Sequence, residues 1–286
     1  MREEGVLERP WSGKTGGTDG MQDLLIEVLR FMPQEMIYCL VALVVPFYMV
    51  FYHKAYLAIY RYFRYRIGYG RVKSFFNVYR NFFIFGQVVI DRFAAFAGRQ
   101  YRVKVENLEL FNELASAEGG FLMLSSHVGC YEIAGCMLTS WQKKFNAIVY
   151  AGETETILKN REKRMSGHNM KMIPLKKDLS HLILINAALN SGEIVSLSAD
   201  RVNGSCKTVK CSFFGSEANF PQGPFSLARM KGIPMLAVFV MKEGVRRYHI
   251  YLSKVEDAKQ FSAHLETVLR KYPAQWFNYY DFWGQV

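Results

Sequence analysis

Between Met36 and Ile90 the 286-residue chain contains no aspartate or glutamate. Lys54, Arg61, Arg64, Arg66, Arg71, Lys73 and Arg80 fall inside that window, so seven of the eleven formal net positive charges are concentrated there. Cysteine is scarce. The five thiols, Cys39, Cys130, Cys136, Cys206 and Cys211, are odd in number and form no CxxC, which argues against structural zinc and against a disulfide scaffold. Their apolar surroundings, as in Cys136-Met137-Leu138, read as reduced, buried thiols in a reducing compartment. Only one stretch approaches the roughly 20 apolar residues that cross a bilayer, so a polytopic membrane protein is excluded. No GxGxxG opens a helix, and GxxxxGK[ST], HExxH and GxSxG are absent. Nucleotide binding, zinc proteolysis and serine-hydrolase chemistry thereby lack their usual residues. Charge is low as well, 21% against 50% hydrophobic residues, which excludes a disordered chain and leaves ample material for a core.

Residues 1–20 carry charges, glycine, serine and threonine without an apolar signal core, and read as a flexible tail. Residues 21–98 read as an N-terminal helical membrane-anchor region. Within it Met36 to Tyr52 is an uncharged run of 17 residues, about 25 Å long as a helix, which is short for a span. Pro46 is expected to kink it. Tyr56, Tyr60, Tyr62, Tyr65 and Tyr69 follow among arginines, the aromatic and basic mixture of a headgroup boundary. An interfacial or re-entrant anchor fits this pattern best. A buried core helix with a solvated basic face is one alternative, and nucleic-acid binding by phosphate contact and base stacking is another. The apolar run beside the cationic segment favours an anionic membrane surface, at about 1 kcal/mol per basic residue. Val72 to Ala97 then reads as one long amphipathic helix rich in phenylalanine, ending at Gly98. Its aromatic stripe suits plain core packing better than an acyl channel.

Residues 99–286 read as an α/β domain. Strand-like runs at Phe121–Ser125, Ala147–Tyr150, Ile194–Ala199, Val209–Phe214, Met235–Met241 and Tyr248–Ser253 alternate with helical stretches near 131–142, 155–169, 177–191, 223–232 and 257–272. The expected fold is a central, largely parallel sheet flanked by helices. Runs such as FLMLS and LAVFVM are continuous, as in strands buried on both sides. In such a sheet the ligand belongs in the crevice beyond the carboxyl ends of the strands.

At the end of the first of these runs comes Ser125-Ser126-His127-Val128-Gly129-Cys130-Tyr131-Glu132. With His127 in the turn and Glu132 in the first helical turn, the carboxylate folds back on one imidazole nitrogen and leaves the other as a general base. Gly129 allows a tight turn, and the helix N-terminus offers N–H groups to developing negative charge. The plainer account makes His127 a capping histidine and Glu132 a first-turn acid favoured by the helix dipole. Cys130 reads as a small buried filler.

The HxxxxE at a strand-to-helix junction resembles the first motif of the lysophospholipid-acyltransferase superfamily, and particularly of the lipid A biosynthesis acyltransferases. The resemblance spans roughly residues 30–284. It extends to Asp200-Arg201 at the end of a late strand, Phe213-Phe214-Gly215, Asn219-Phe220-Pro221-Gln222-Gly223-Pro224-Phe225 before Leu227-Ala228-Arg229, and Gly232-Ile233-Pro234-Met235 opening a core strand. Gln222 and Pro224 replace the acid and threonine of the glycerolipid branch's Pro-Glu-Gly-Thr motif, which argues against a glycerol-3-phosphate acyltransferase. The aromatic C-terminus matches loosely.

The resemblance implies a membrane-associated acyltransferase of lipid A and lipopolysaccharide biosynthesis, on the cytoplasmic face of the cell inner membrane. It would move a fatty acyl group from acyl carrier protein or a coenzyme A thioester to a hydroxyl of an anionic lipid. It implies His127 and Glu132 as the catalytic pair. Arg164, Asp200 and Arg201 would hold substrate, Arg201 alternatively pairing with Asp200, while Pro221 and Gly223 shape the crevice. No metal, no cofactor beyond the acyl donor and no nucleic-acid partner are expected. Acylation of an aminolipid or another hydrophobic alcohol remains an alternative, as does a non-catalytic membrane-surface binding protein.

Overall fold

A computed structural model describes residues 19–285 apart from 132, 135–137, 139–142, 151–169, 176–179 and 203–206. Seven strands form the main sheet: β1 (Arg102–Glu106), β2 (Phe121–Ser125), β3 (Phe145–Tyr150), β4 (Met170–Leu175), β5 (Ile194–Ser198), β8 (Met235–Gly244) and β9 (Arg247–Val255). Their order is β1-β9-β8-β2-β5-β3-β4, and every pairing is parallel except that of β8 with β9. The continuous apolar runs have the expected cause. Leu122 and Leu124 of β2 join Ala237 and Phe239 of β8 in the core on one face, whereas Phe121 and Met123 join Leu236 and Val238 in the core on the other. Helix α5 (Leu108–Ser116) covers the second face with Phe111 and Ala115. The first face is covered by α6 (Ser180–Asn190), α7 (Gly223–Lys231) and α8 (Ala258–Lys271), through residues such as Ile185, Phe225 and Phe261.

The strand expected at Val209–Phe214 lies apart from the main sheet. It is β6 (Thr208–Phe213), paired antiparallel with β7 (Ser216–Pro221) in a separate hairpin. Phe214 and Gly215 make its two-residue turn with φ of 51° and 72°, the pair of positive angles that matches the twist of the flanking strands. The left-handed Phe214 is held by its N–H, which donates to Glu266, and by its ring against Tyr62 and Trp283.

The N-terminal region is a helical layer built into the same core. It comprises α1 (Asp19–Phe31), α2 (Gln34–Phe51), α3 (His53–Arg61), a π-helical turn at Tyr62–Arg66 and α4 (Arg71–Phe96). Ile59, Tyr62, Phe63, Val78 and Phe82 are buried with Leu122 and Phe239. The aromatic stripe of α4 packs on the C-terminal segment, Phe82 against Tyr279 and Phe85 against Phe277. Helix α4 ends as expected at Gly98, whose φ is +88°.

Helix α2 is not a core helix. Ile37, Tyr38 and Val45 face inward, while Met36, Leu40, Leu43, Val44, Phe47, Val50 and Phe51 form an exposed apolar stripe along the opposite side. The helix runs on through Pro46 rather than ending at it. Proline removes the donor to the carbonyl four residues earlier, and that carbonyl, of Ala42, accepts from the Tyr79 hydroxyl of α4 at 3.1 Å. A neighbouring side chain thus replaces the lost backbone bond.

Candidate active site

Strands β2 and β5 are neighbours in register, with Ser125 opposite Ser198. His127 and Asp200 each lie two residues beyond those strand ends, so the parallel pairing brings them together at the carboxyl edge of the sheet. His127 Nδ1 is 2.7 Å from Asp200 Oδ1, and Asp200 Oδ2 accepts from the Ser126 hydroxyl at 2.8 Å and from the His127 N–H at 3.0 Å. The carboxylate is wholly buried, whereas the imidazole side chain keeps 28% of its surface exposed.

Burial alone would raise the Asp200 carboxyl, but the charge and hydrogen bond of His127, then Arg201 and the His127 N–H, outweigh it and hold the group well below the usual range. Asp200 is therefore a carboxylate with no proton to donate, and Nδ1 must carry the hydrogen of the shared bond. That fixes the tautomer and leaves Nε2 with a lone pair. The chemical capacity of the site is general-base removal of a proton from a group presented to Nε2.

The turn carrying His127 is clamped on all sides. Phe277 N–H donates to the His127 carbonyl at 2.9 Å, Val128 bridges Trp276, Gly129 N–H reaches Gln275 O at 3.1 Å and Cys130 N–H reaches Val240 O at 2.9 Å. Gly129 is required twice over: its φ is +50°, and a Cβ there would lie 1.7 Å from the Val240 carbonyl oxygen. The backbone N–H groups of residues 127–130 donate to Asp200, Ser126 O, Gln275 O and Val240 O. Cys130 is fully buried and outside any disulfide, the small filler expected of it.

Glu132, expected on Nδ1, and Arg164 lie outside the described residues. Asp200 takes the Nδ1 contact, although the sequence reading had placed it among the substrate contacts. Arg201 Nη2 donates to Phe277 O at 2.7 Å, and its guanidinium carbon is 5.9 Å from the centre of the Tyr280 ring. Pro221 closes β7 and Gly223 opens α7; neither hydrogen-bonds His127, Asp200 or Arg201 among the described residues. Sequence reading missed Ser126 and the part played by residues 275–280. The one signal available was the equal offset of His127 and Asp200 from their strand ends, which means nothing until β2 and β5 are known to be neighbours. Among the described residues no three His, Cys, Asp or Glu side chains are grouped to hold a metal ion.

A search of curated proteins gives no match to the chain. A family model described as bacterial lipid A biosynthesis acyltransferase matches residues 73–278. That stretch runs from α4 through the whole sheet to Asn278 and contains His127, Asp200 and the segment that clamps them. The protein belongs to the bacterial lipid A biosynthesis acyltransferase family and is an acyltransferase.

Proposed function

We propose that the protein transfers a fatty acyl group from an acyl carrier protein or coenzyme A thioester to a hydroxyl of an anionic lipid acceptor of lipid A or glycolipid biosynthesis. The observation that carries this reading is the buried Asp200 carboxylate on Nδ1 of a partly exposed His127 at the sheet's carboxyl edge. Nε2 takes the acceptor's hydroxyl proton as its oxygen attacks the thioester carbonyl carbon. The tetrahedral adduct collapses with cleavage of the C–S bond, and the imidazolium returns the proton to the departing thiolate. Ester and free thiol are the products, and no side chain is acylated. Arg164 keeps its expected part as a contact for substrate phosphate, whereas in this reading the Nδ1 contact expected of Glu132 falls to Asp200.

Lipid mass spectrometry of cells expressing wild type, His127→Ala or neither is the test. A species heavier by one acyl chain should appear with wild type alone, and its mass reports chain and acceptor. The same species at equal abundance with His127→Ala would sink the general-base assignment.

The membrane-facing surface in this reading is the exposed stripe of α2 with the basic residues from Lys54 to Lys73. Leu43, Phe47 and Val50 are 69%, 64% and 73% exposed, so replacing all three with serine leaves the core untouched. Each apolar side chain buried in lipid contributes roughly 1.5–3 kcal/mol. The triple variant should therefore bind anionic-lipid vesicles at least ~100-fold more weakly in a flotation assay, with an unchanged melting temperature. Unaltered flotation would place the attachment elsewhere.

A further inference from the structure

Three arginines crowd one exposed corner of the sheet. Arg246 and Arg247 close the turn between β8 and β9, and Arg102, the first residue of β1, sits opposite Arg247 in register. The Arg102 N–H donates to the Arg246 carbonyl at 2.9 Å. All three residues are exposed, and among the described residues none of their guanidinium groups forms an ion pair with a carboxylate. The acids of the neighbourhood are committed elsewhere. Glu106 and Glu243 lie 3.3 and 3.2 Å from the two ring nitrogens of His249, and Glu243 also accepts from the Tyr272 hydroxyl at 2.7 Å. Like charges opposite one another weaken a strand pair, so this corner works against folding.

The backbone adds an independent observation. Arg246 has a φ of 53°, in the left-handed region that glycine or asparagine occupies readily and other side chains mostly avoid. The register of β8 and β9 slips between Lys242 and Gly244, an irregularity of the kind that re-aims side chains near active sites. Gly244 then leaves room for Arg247, since a Cβ there would lie 3.0 Å from its Nε and Nη2. Strain kept at an arginine points to a use for its side chain. The corner also belongs to the edge of the sheet that carries His127. Strand β8 runs parallel to β2, and its Val240 carbonyl accepts from the Cys130 N–H at 2.9 Å. Gly244 follows four residues later, about 13 Å further along the strand. The arginines therefore stand beyond the catalytic turn, at the same end of the sheet.

We propose that Arg102, Arg246 and Arg247 form the docking surface for an acidic acyl carrier protein, which brings its thioester to His127 on the flexible phosphopantetheine arm. The inference rests on the acyl-transfer reading and names its donor. Guanidinium groups pair bidentately with carboxylates, and charges on a rim steer an oppositely charged partner and set its association rate. Coenzyme A would add an adenine, which calls for an apolar or aromatic cleft, whereas the turn offers guanidinium groups and one exposed apolar side chain, Val245. The same scarcity of apolar surface separates this corner from the segment Lys54 to Lys73, which follows the long exposed stripe of α2.

The full-length protein in detergent is titrated with fluorescently labelled holo acyl carrier protein at low and at physiological salt. Wild type should bind, and more weakly as salt rises. The triple variant Arg102→Gln, Arg246→Asn, Arg247→Gln should bind at least ~10-fold more weakly at low salt, mainly through slower association, and its residual binding should vary less with salt. Asparagine tolerates the left-handed φ of position 246. Arg246→Asn alone should therefore melt no lower than wild type and still bind at least ~3-fold more weakly, which keeps the test readable if the triple variant folds poorly. Carrier binding that is absent from wild type, or equal in wild type and both variants, overturns the proposal. So does an equal or larger fall in the binding of coenzyme A or of phosphatidylglycerol vesicles, which would assign the arginines to a nucleotide or to lipid. Docking is read without turnover, so a failure of the His127 general base leaves this result standing and the reverse also holds.

Discussion

Asp200→Asn should reduce turnover by about 10³–10⁴-fold with little change in the Michaelis constant for either substrate. The substitution keeps the size of the side chain and removes the charge that fixes the His127 tautomer. An asparagine at 200 can present its N–H₂ to Nδ1, which then becomes the acceptor, and Nε2 carries the hydrogen that a base must lack. Single-turnover acyl transfer with purified protein measures this loss directly. Glu132→Gln provides the comparison: because Asp200 occupies Nδ1 at 2.7 Å, the Glu132 substitution should be the milder of the two. A Glu132→Gln variant as inactive as Asp200→Asn would return the orienting role to the HxxxxE motif. Asp200 also leaves a signature in stability. Its carboxyl titrates lower in the folded chain than in the unfolded one, so its contribution is fully present above about pH 4 and is lost as pH falls through the folded value. Asp200→Asn should therefore flatten the acid limb of a melting-temperature profile without altering the neutral plateau's shape.

The legible and illegible parts of this fold differ in burial. FLMLS and LAVFVM, continuous apolar runs in the chain, are the central strands β2 and β8, because both their faces lie under helices. The unread strands are at the edges or outside the main sheet. β1 reads RVKVE, two valines among charges, and β4 reads MKMIPL with a proline that an edge strand tolerates. β7, SEANFP, belongs to the separate hairpin and carries its own proline. His127 was legible because its neighbours in sequence are also its neighbours in space. Asp200 was visible as a strand-end acid, but its partner lies 73 residues away. The pairing that joins them depends on β5 entering the sheet beside β2 while β3 lies on its far side. The packing of Tyr62 on Trp276 and Trp283 was beyond sequence reading for the same reason, since it joins segments more than 200 residues apart. The apolar run of α2 was legible as a whole but not by face. Which residues turn inward depends on α4, whose packing selects Ile37, Tyr38 and Val45.

Lys242→Met should lower the free energy of unfolding by about 3–5 kcal/mol, a loss as large as that of truncating a buried aromatic side chain. Lys242 of β8 is the counter-ion of Asp91 of α4, and the pair is 8% and 0% exposed. Around the carboxylate, Tyr38 of α2 and Tyr248 of β9 donate their hydroxyls to Asp91, and Gln34 Nε2 donates at 3.0 Å. One buried charge therefore joins the helical layer to the sheet, and removing its counter-ion leaves a carboxylate in an apolar interior. A buried ion pair is not by itself a net source of stability, which sets the second arm of the experiment. Asp91→Asn combined with Lys242→Met removes both charges; the asparagine oxygen still accepts from one tyrosine hydroxyl, and its N–H₂ can donate to the other, since Tyr38 and Tyr248 meet different oxygens of Asp91. The double variant should recover at least half of the single variant's loss in a urea titration, with an unchanged slope. Equal loss in both would mean that Lys242 acts through packing of its aliphatic stem, not as a counter-ion. The network also explains why α2 keeps an exposed apolar face without separating from the domain. Its polar end is fastened through Gln34 and Tyr38 to the charged pair of α4 and β8, and its outer face stays exposed without loosening the sheet that carries His127.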